Sequence, residues 1–303
     1  MLLNNTNLDF SHFFICGYGG MRRIGNHDNS EIEDSCATLF DSEAQLINAE
    51  LWLSKADYAA RINDDERTKR RLRVVEEALI AILPDVSEFR YRVTDDNALD
   101  PIAEAHTPYG WVRIRELSLG YQTALAWVVD FAARMIARYP HSENPLAEPA
   151  VCLVDEIDLH LHPQWQRELI QKLDEIFPRT QFIATAHSPL VVQAAPGANI
   201  ILLKREGDHV VVKNDVDEIR KWRVDQILAS ELFEEQPVYA PEIQALLDER
   251  ETLLSQAELS GDDKARVAVI DGELGKLPSA ARPADQEAMD LIRRTAALIK
   301  NEK

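Results

Sequence analysis

The feature that most restricts this chain is a pair of short apolar runs set one helix apart. "AVCLVDE", Ala150 to Glu156, is a continuous apolar stretch of the kind a strand covered on both faces requires, and it stops at two adjacent acids. "HPQWQRELIQKLDEIFP" follows with helical spacing: Trp165, Leu169, Leu173 and Ile176 form an apolar stripe, and Pro163 suits the first turn. "TQFIATAHSP", Thr180 to Pro189, then reads as a second buried strand. Strand, helix and strand with short links make a right-handed crossover, and hence a parallel sheet. In open sheets of this type, ligands sit at the carboxyl ends of the strands. Asp155 and Glu156 fall at one such end, and Thr185, Ala186 and His187 at another.

Paired carboxylates at a strand end fit metal-assisted nucleotide hydrolysis. The first acid holds Mg²⁺, and the second faces the terminal phosphate and orients or deprotonates the attacking water. A divalent cation relieves the repulsion between the two acids. A structural reading stands beside this one: both acids cap the following helix through its free amides. "LSLGYQ", Leu117 to Gln122, places Ser118 and Gly120 in a loop opening a helix, with Ser118 at the N-cap. Free amides, a hydroxyl and the positive end of a helix dipole make an anion site. Asp155, Glu156 and Asp158 with His160 or His162 also suit a metal-dependent nuclease. A zinc site on His160 and His162 lacks two further ligands nearby.

The remaining segments set the organisation. "FFICGYGG", Phe13 to Gly20, reads as a strand ending in glycines, and a helix is expected across about 42–83. Residues 84–108 read as polar and irregular. Leu125, Val128, Val129, Ala132 and Ile136 repeat at helical spacing after the Ser118 loop, and "HSENPLAEP" links that helix to the first buried strand. "NIILLKREGDHVVVKND" reads as a hairpin turning at Glu206-Gly207-Asp208. Beyond residue 218 the pattern changes. Ile243, Leu246, Leu247, Leu253 and Leu254 share a helix face, as do Met289, Ile292, Ala296 and Ile299. The expected domains are therefore 1–218, an α/β domain, and 219–303, a helical region.

Thirty-three basic residues stand against 52 acidic ones, which argues against a general nucleic-acid coat. "RTKRRLR", Arg67 to Arg73, is the one dense basic stretch, read either as a solvated helix face or as a contact with nucleic acid or a partner. Cys16, Cys36 and Cys152 have no metal or redox spacing, and no apolar run approaches the ~20 residues of a membrane span. A cytoplasmic protein without membrane contact is expected.

Taken together, the motif order resembles the ABC-type (SMC/RecF-like) ATPases, especially the stand-alone bacterial AAA-family ATPases found in anti-phage systems such as Septu and certain retrons. Leu117 to Gln122 resembles their signature sequence and Val151 to Glu156 their Walker B strand. Asp158 to His162 resembles the D-loop, and Thr185 to Ser188 the switch-histidine segment. The resemblance covers roughly 13–205 and implies a partial P-loop ATPase head, a mostly parallel sheet with helices, joined to the helical C-terminal region.

It further implies ATP and Mg²⁺ as cofactors. Asp155 would serve the metal, Glu156 would be the general base and His187 would sense the γ-phosphate. Ser118, Gly120, Gln122 and Asp158 would belong to nucleotide binding across a dimer. A nuclease effector is an expected partner, and nucleic acid a possible one. One departure stands out: the 303 residues contain no G-x-x-x-x-G-K-[ST]. The nearest, "DGELGKLP", has Leu277 where Ser or Thr is needed. The head is thus expected to lack its Walker A segment, to be a fragment, a split protein or a chain with a misassigned start, and to be weak in ATP binding alone. A partner chain supplying Walker A, or a homodimer, is expected to complete it. The other function classes are the metal-dependent nuclease above and a non-catalytic dimerising scaffold.

Overall fold

The computed structural model describes residues 14–26, 34–94, 100–195, 197–214, 221–234, 237, 239–255 and 260–275. Chain contacts divide the molecule into Met1–Ile227 and Leu228–Lys303.

The first unit opens with β1 (Ile15–Tyr18), a short β2 (Arg23–Ile24), α1 (Ala37–Phe40) and β3 (Gln45–Leu46). The single helix expected over 42–83 is two helices, α2 (Ala49–Asn63) and α3 (Glu66–Ile82). The break follows from local chemistry. Asp64 is left-handed at φ 42°, and Asp65 caps α3, its Oδ2 accepting from the Thr68 amide at 3.1 Å. Asn48 caps α2 in the same way, accepting from Leu51 at 3.0 Å. Arg67, Arg70 and Arg71 of the basic stretch lie against residues 140–143. Arg71 donates to the Pro140 carbonyl at 2.6 Å, and Arg70 pairs with Glu143 at 3.6 Å. Leu72 is buried, while Arg67, Arg70 and Arg73 remain exposed, so this stretch is largely a solvated helix face.

Residues 84–108 are not irregular. They carry β4 (Glu88–Val93) and β5 (Pro101–Thr107), antiparallel to each other, and β5 pairs on with β6 (Gly110–Arg113). "EFRYRV" alternates polar and apolar as a half-covered strand does: Phe89 is buried and Tyr91 partly so, while the intervening Arg90 and Arg92 are exposed. Both reach Glu104 across the ladder, at 2.6 and 3.0 Å. Arg92 first, then Arg90, holds the Glu104 carboxyl down at about 2.

The central helix α4 (Leu119–Arg138) is apolar nearly all round, and its residues 123–135 are all buried. It also buries an ion pair, Arg134 Nε to Asp130 Oδ2 at 2.6 Å, and Tyr18 of β1 donates to the same carboxylate at 2.9 Å. Within this core the Tyr18 ring meets Trp127 at a tilt and Phe131 edge-on.

β7 (Ala150–Val154) runs parallel to β1, Val154 opposite Tyr18. The helix expected to follow is two, α5 (Pro163–Gln166) and α6 (Leu169–Ile176), with Trp165, Leu169 and Leu173 buried as the stripe requires. β8 (Thr180–Ala184) returns parallel to β7, Val154 opposite Ala184, so the crossover forms and the sheet order is β1-β7-β8. β8 is nevertheless not a buried strand. It is an edge, and Ile183 is 53% exposed. α7 (Pro189–Gln193) follows, and then the expected hairpin, β9 (Leu202–Glu206) and β10 (His209–Lys213), with Gly207 at φ 65° in its turn. α8 (Val224–Leu228) spans the division between the units.

In the second unit α9 (Pro241–Leu254) and α10 (Gly261–Leu274) pair through Arg250–Asp271 at 2.6 Å and Arg266–Glu249 at 2.7 Å. A capping box of Ser260 and Asp263 starts α10. "DGEL" of the near-match to a phosphate loop lies inside this helix. The expected face of Met289, Ile292, Ala296 and Ile299 lies outside the described residues. Among the described residues, no helix is long and apolar enough to cross a membrane.

Candidate functional site

The carboxyl ends of β1, β7 and β8 meet at one rim. Backbone bonds place it: the Asp155 amide donates to the Tyr18 carbonyl at 2.8 Å and the Thr185 amide to the Val154 carbonyl at 3.0 Å. Thr185 is the hub. Its hydroxyl donates to Asp155 Oδ1 at 2.6 Å and accepts from the Glu156 amide at 2.8 Å, while its carbonyl accepts from Ile157 at 2.9 Å. Asp158 takes the His187 amide at 3.2 Å. Asp155, Glu156, Asp158 and His187 are thus brought together in the loops that leave two neighbouring strands.

The chain turns sharply there. Glu156 is left-handed at φ 50° and His160 at φ 60°. Neither acid caps the following helix, whose N-cap is His162, accepting from the Gln164 amide at 3.3 Å. The capping reading of the acid pair therefore falls. Asp155 is exposed and Glu156 half-buried.

β1 contributes two features that the sequence reading missed. A Cβ on Gly20 would lie 3.4 Å from Glu156 Oε2 and 3.9 Å from Asp155 Oδ2, so the glycine keeps the space beside both carboxylates open. Arg22, 5% exposed, donates through Nη2 to the carbonyls of Asp155 and Glu156, at 2.8 Å each. The double glycine before it was a legible signal of close approach. Arg22 itself carried none, because its partners lie more than a hundred residues away.

Ser118, Gly120 and Gln122 form a second cluster, at the start of α4. Ser118 occupies the N-cap, exposed, with no capping bond from its side chain. Gly120 is required by contact: a Cβ there would sit 2.5 Å from the His160 carbonyl oxygen. Gln122 turns its amide inward, donating to the carbonyls of Arg115 at 3.0 Å and Leu117 at 2.7 Å. It braces the loop that presents Ser118. The two clusters are linked through the segment Asp158 to His160.

Among the described residues, no three His, Cys, Asp or Glu side chains converge as a metal-binding group. The rim does fit a hydrated Mg²⁺ beside phosphate. It offers hard oxygen donors, the Asp155 carboxylate and the Thr185 hydroxyl, in the space that Gly20 leaves clear.

Residues 22–193 match the family model described as "AAA domain, putative AbiEii toxin, Type IV TA system". The chain belongs to this family. This AAA-domain chain is 31% identical over 196 residues to "Retron Vc95 probable ATPase" of Vibrio cholerae serotype O1 biovar El Tor, covering 64% of this chain and 37% of that protein. It is 31% identical over 167 residues to "Septu protein PtuA" of Bacillus mycoides (strain KBAB4), covering 54% of this chain and 23% of that one. The chain thus spans well under half the length of these relatives. A solved chain from work on "ATP-driven dimerization and DNA stimulated activation of SMC ATPases" overlaps 60% of this chain and 99% of its own, at a TM-score of 0.42 and 19% identity.

Proposed function

We propose that this AAA-domain chain carries the hydrolytic half of an ATPase site. The observation that carries the reading is the rim itself: two adjacent acids at the end of β7, tied to the end of β8 by Thr185 and left open by Gly20. Asp155 would hold Mg²⁺, whose bound charge would stabilise the phosphates during hydrolysis. Glu156, free of any partner helix, would orient the attacking water and take its proton. His187 lies at the same rim, its amide donating to Asp158, and would sense a terminal phosphate there. The relative's name, a probable ATPase of a retron, supports the same chemistry.

Ser118 and Gly120 lie in a separate cluster and do not share the rim with Asp155. That separation supports a dimer in which the loop of one head meets the rim of another. The Walker A grip, absent from the 303 residues, would come from a further segment or a partner chain. We further propose that nucleotide turnover controls an effector in an anti-phage system. A nuclease is one candidate effector, nucleic acid a possible contact, and the cytoplasm the site of action. Arg71 is taken up by the Pro140 carbonyl and Arg70 pairs with Glu143, which leaves Arg67 and Arg73 as the exposed cations of "RTKRRLR" best placed for such a contact.

Glu156→Gln tests the base. In the ATP-hydrolysing assembly it should lower turnover by about 10²–10⁴-fold while nucleotide stays bound. Unchanged turnover removes Glu156 from the mechanism.

A further inference from the structure

A buried cation lies beneath the acid pair. Arg22 follows β1, and its guanidinium sits 5.9 Å from the ring centroid of Trp127 in α4. Burial lowers its pKa to about 10, against the pull of Glu156, Asp155 and Asp158, in that order. Its Nε is buried without a partner, and its own backbone is left-handed at φ 38°.

Stability alone does not account for this arrangement. A buried donor left unpaired costs on the order of 1–3 kcal/mol. A left-handed non-glycine residue costs on the order of 1 kcal/mol or more, and two of them, Arg22 and Glu156, face each other here. Such conformations persist only where the surroundings over-determine them. The surroundings in question are two hydrogen bonds: Arg22 Nη2 reaches the Asp155 and Glu156 carbonyls, the two that flank the φ of Glu156.

We propose that Arg22 is a positioning residue for Glu156. By gripping two consecutive carbonyls it locks the left-handed turn at Glu156 and so fixes the direction in which that carboxylate points. Its charge lies behind three carboxylates and offsets their mutual repulsion. The proposal rests on the reading of Glu156 as the base.

The first test needs no nucleotide. Amide hydrogen exchange is measured on the purified chain for Arg22→Met, which removes both bonds, and Arg22→Lys, which keeps the charge on a shorter stem. The Glu156 and Ile157 amides are bonded to Thr185 and should exchange about tenfold faster or more in Arg22→Met, while α4 stays protected. Unchanged exchange at 156–157, or an equal rise throughout α4, overturns the proposal. If Arg22→Met does not fold, the same comparison is made with Arg22→Lys.

The second test uses the hydrolysing assembly. Arg22→Lys should lower kcat with nucleotide affinity unchanged, and should add nothing to Glu156→Gln. Losses that multiply in the double variant overturn a role exerted through Glu156. If Glu156→Gln alone leaves turnover intact, it is the base reading that fails, and the exchange result then decides the pinned turn by itself.

Discussion

β1 with α4 and β8 with the β9–β10 hairpin both carry apolar side chains, and these end in opposite environments. Tyr18, Trp127 and Phe131 are at most 2% exposed. Ile183 on β8 is 53% exposed, and Leu203 and Val212, which face each other across the hairpin, are each 63% exposed. Parallel strands are normally covered on both faces, and apolar strand residues normally pack. An apolar run therefore records what a segment needs to bury. It does not record whether the same chain supplies the cover. Among the described residues of this unit, α4 has its cover and β8 does not.

The largest effect should come from the covered side. Trp127→Ala opens the centre of the core and removes the ring beside Arg22. It should cost about 3–5 kcal/mol in denaturant unfolding. A loss below about 1 kcal/mol would mean that α4 is not the packed half of the comparison.

Glu104 is intermediate. Its side chain is 5% exposed, but Arg92 and Arg90, which hold it, are about half in solvent. Glu104→Gln should therefore cost on the order of 1–2 kcal/mol near neutral pH, discounted for that exposure. Because the carboxyl is held below its ordinary 4.5 at about 2, its contribution is complete above pH 4.5 and fades as pH falls towards 2. The stability difference between the two proteins should shrink across that window. A constant difference would show that the arginines do not act on the charged form.

The smallest effects belong to the uncovered side. Ile183→Ala and Leu203→Ser should each change stability by no more than about 0.5 kcal/mol. A loss as large as that of Trp127→Ala would show β8 or the hairpin to be covered in solution, and the contrast would collapse.

The sequence carried the parallel crossover, the hairpin and the meeting of Asp155 with Thr185 and His187, because each follows from local periodicity and a short connection. It carried the β4 alternation of Phe89 and Tyr91 with Arg90 and Arg92, which went unread, but it did not carry β5, where Glu104 is buried because Arg90 and Arg92 of the neighbouring strand pair with it. Nor did it show the break at Asp64, since a continuous charged helix and two helices joined by Asp-Asp have the same composition. Arg22 was invisible because its role depends on the Asp155 and Glu156 carbonyls, 133 and 134 positions away. Gly120 was read as part of an anion site, yet the structure also gives it a packing reason, the close approach of the His160 carbonyl.

The central claim is that the rim of Asp155, Glu156 and His187 is one half of a nucleotide site, with the phosphate grip supplied from elsewhere. Calorimetric titration of the purified 303-residue chain with ATP and Mg²⁺ tests it most directly. The account predicts binding weaker than about 1 mM, corresponding to less than about 4 kcal/mol, because carboxylates hold a metal beside phosphates but do not grip the phosphates themselves. Addition of a segment or chain carrying a Walker A loop should restore micromolar affinity. Micromolar or tighter binding by the chain alone would contradict the account and show that another loop of this chain holds the phosphates.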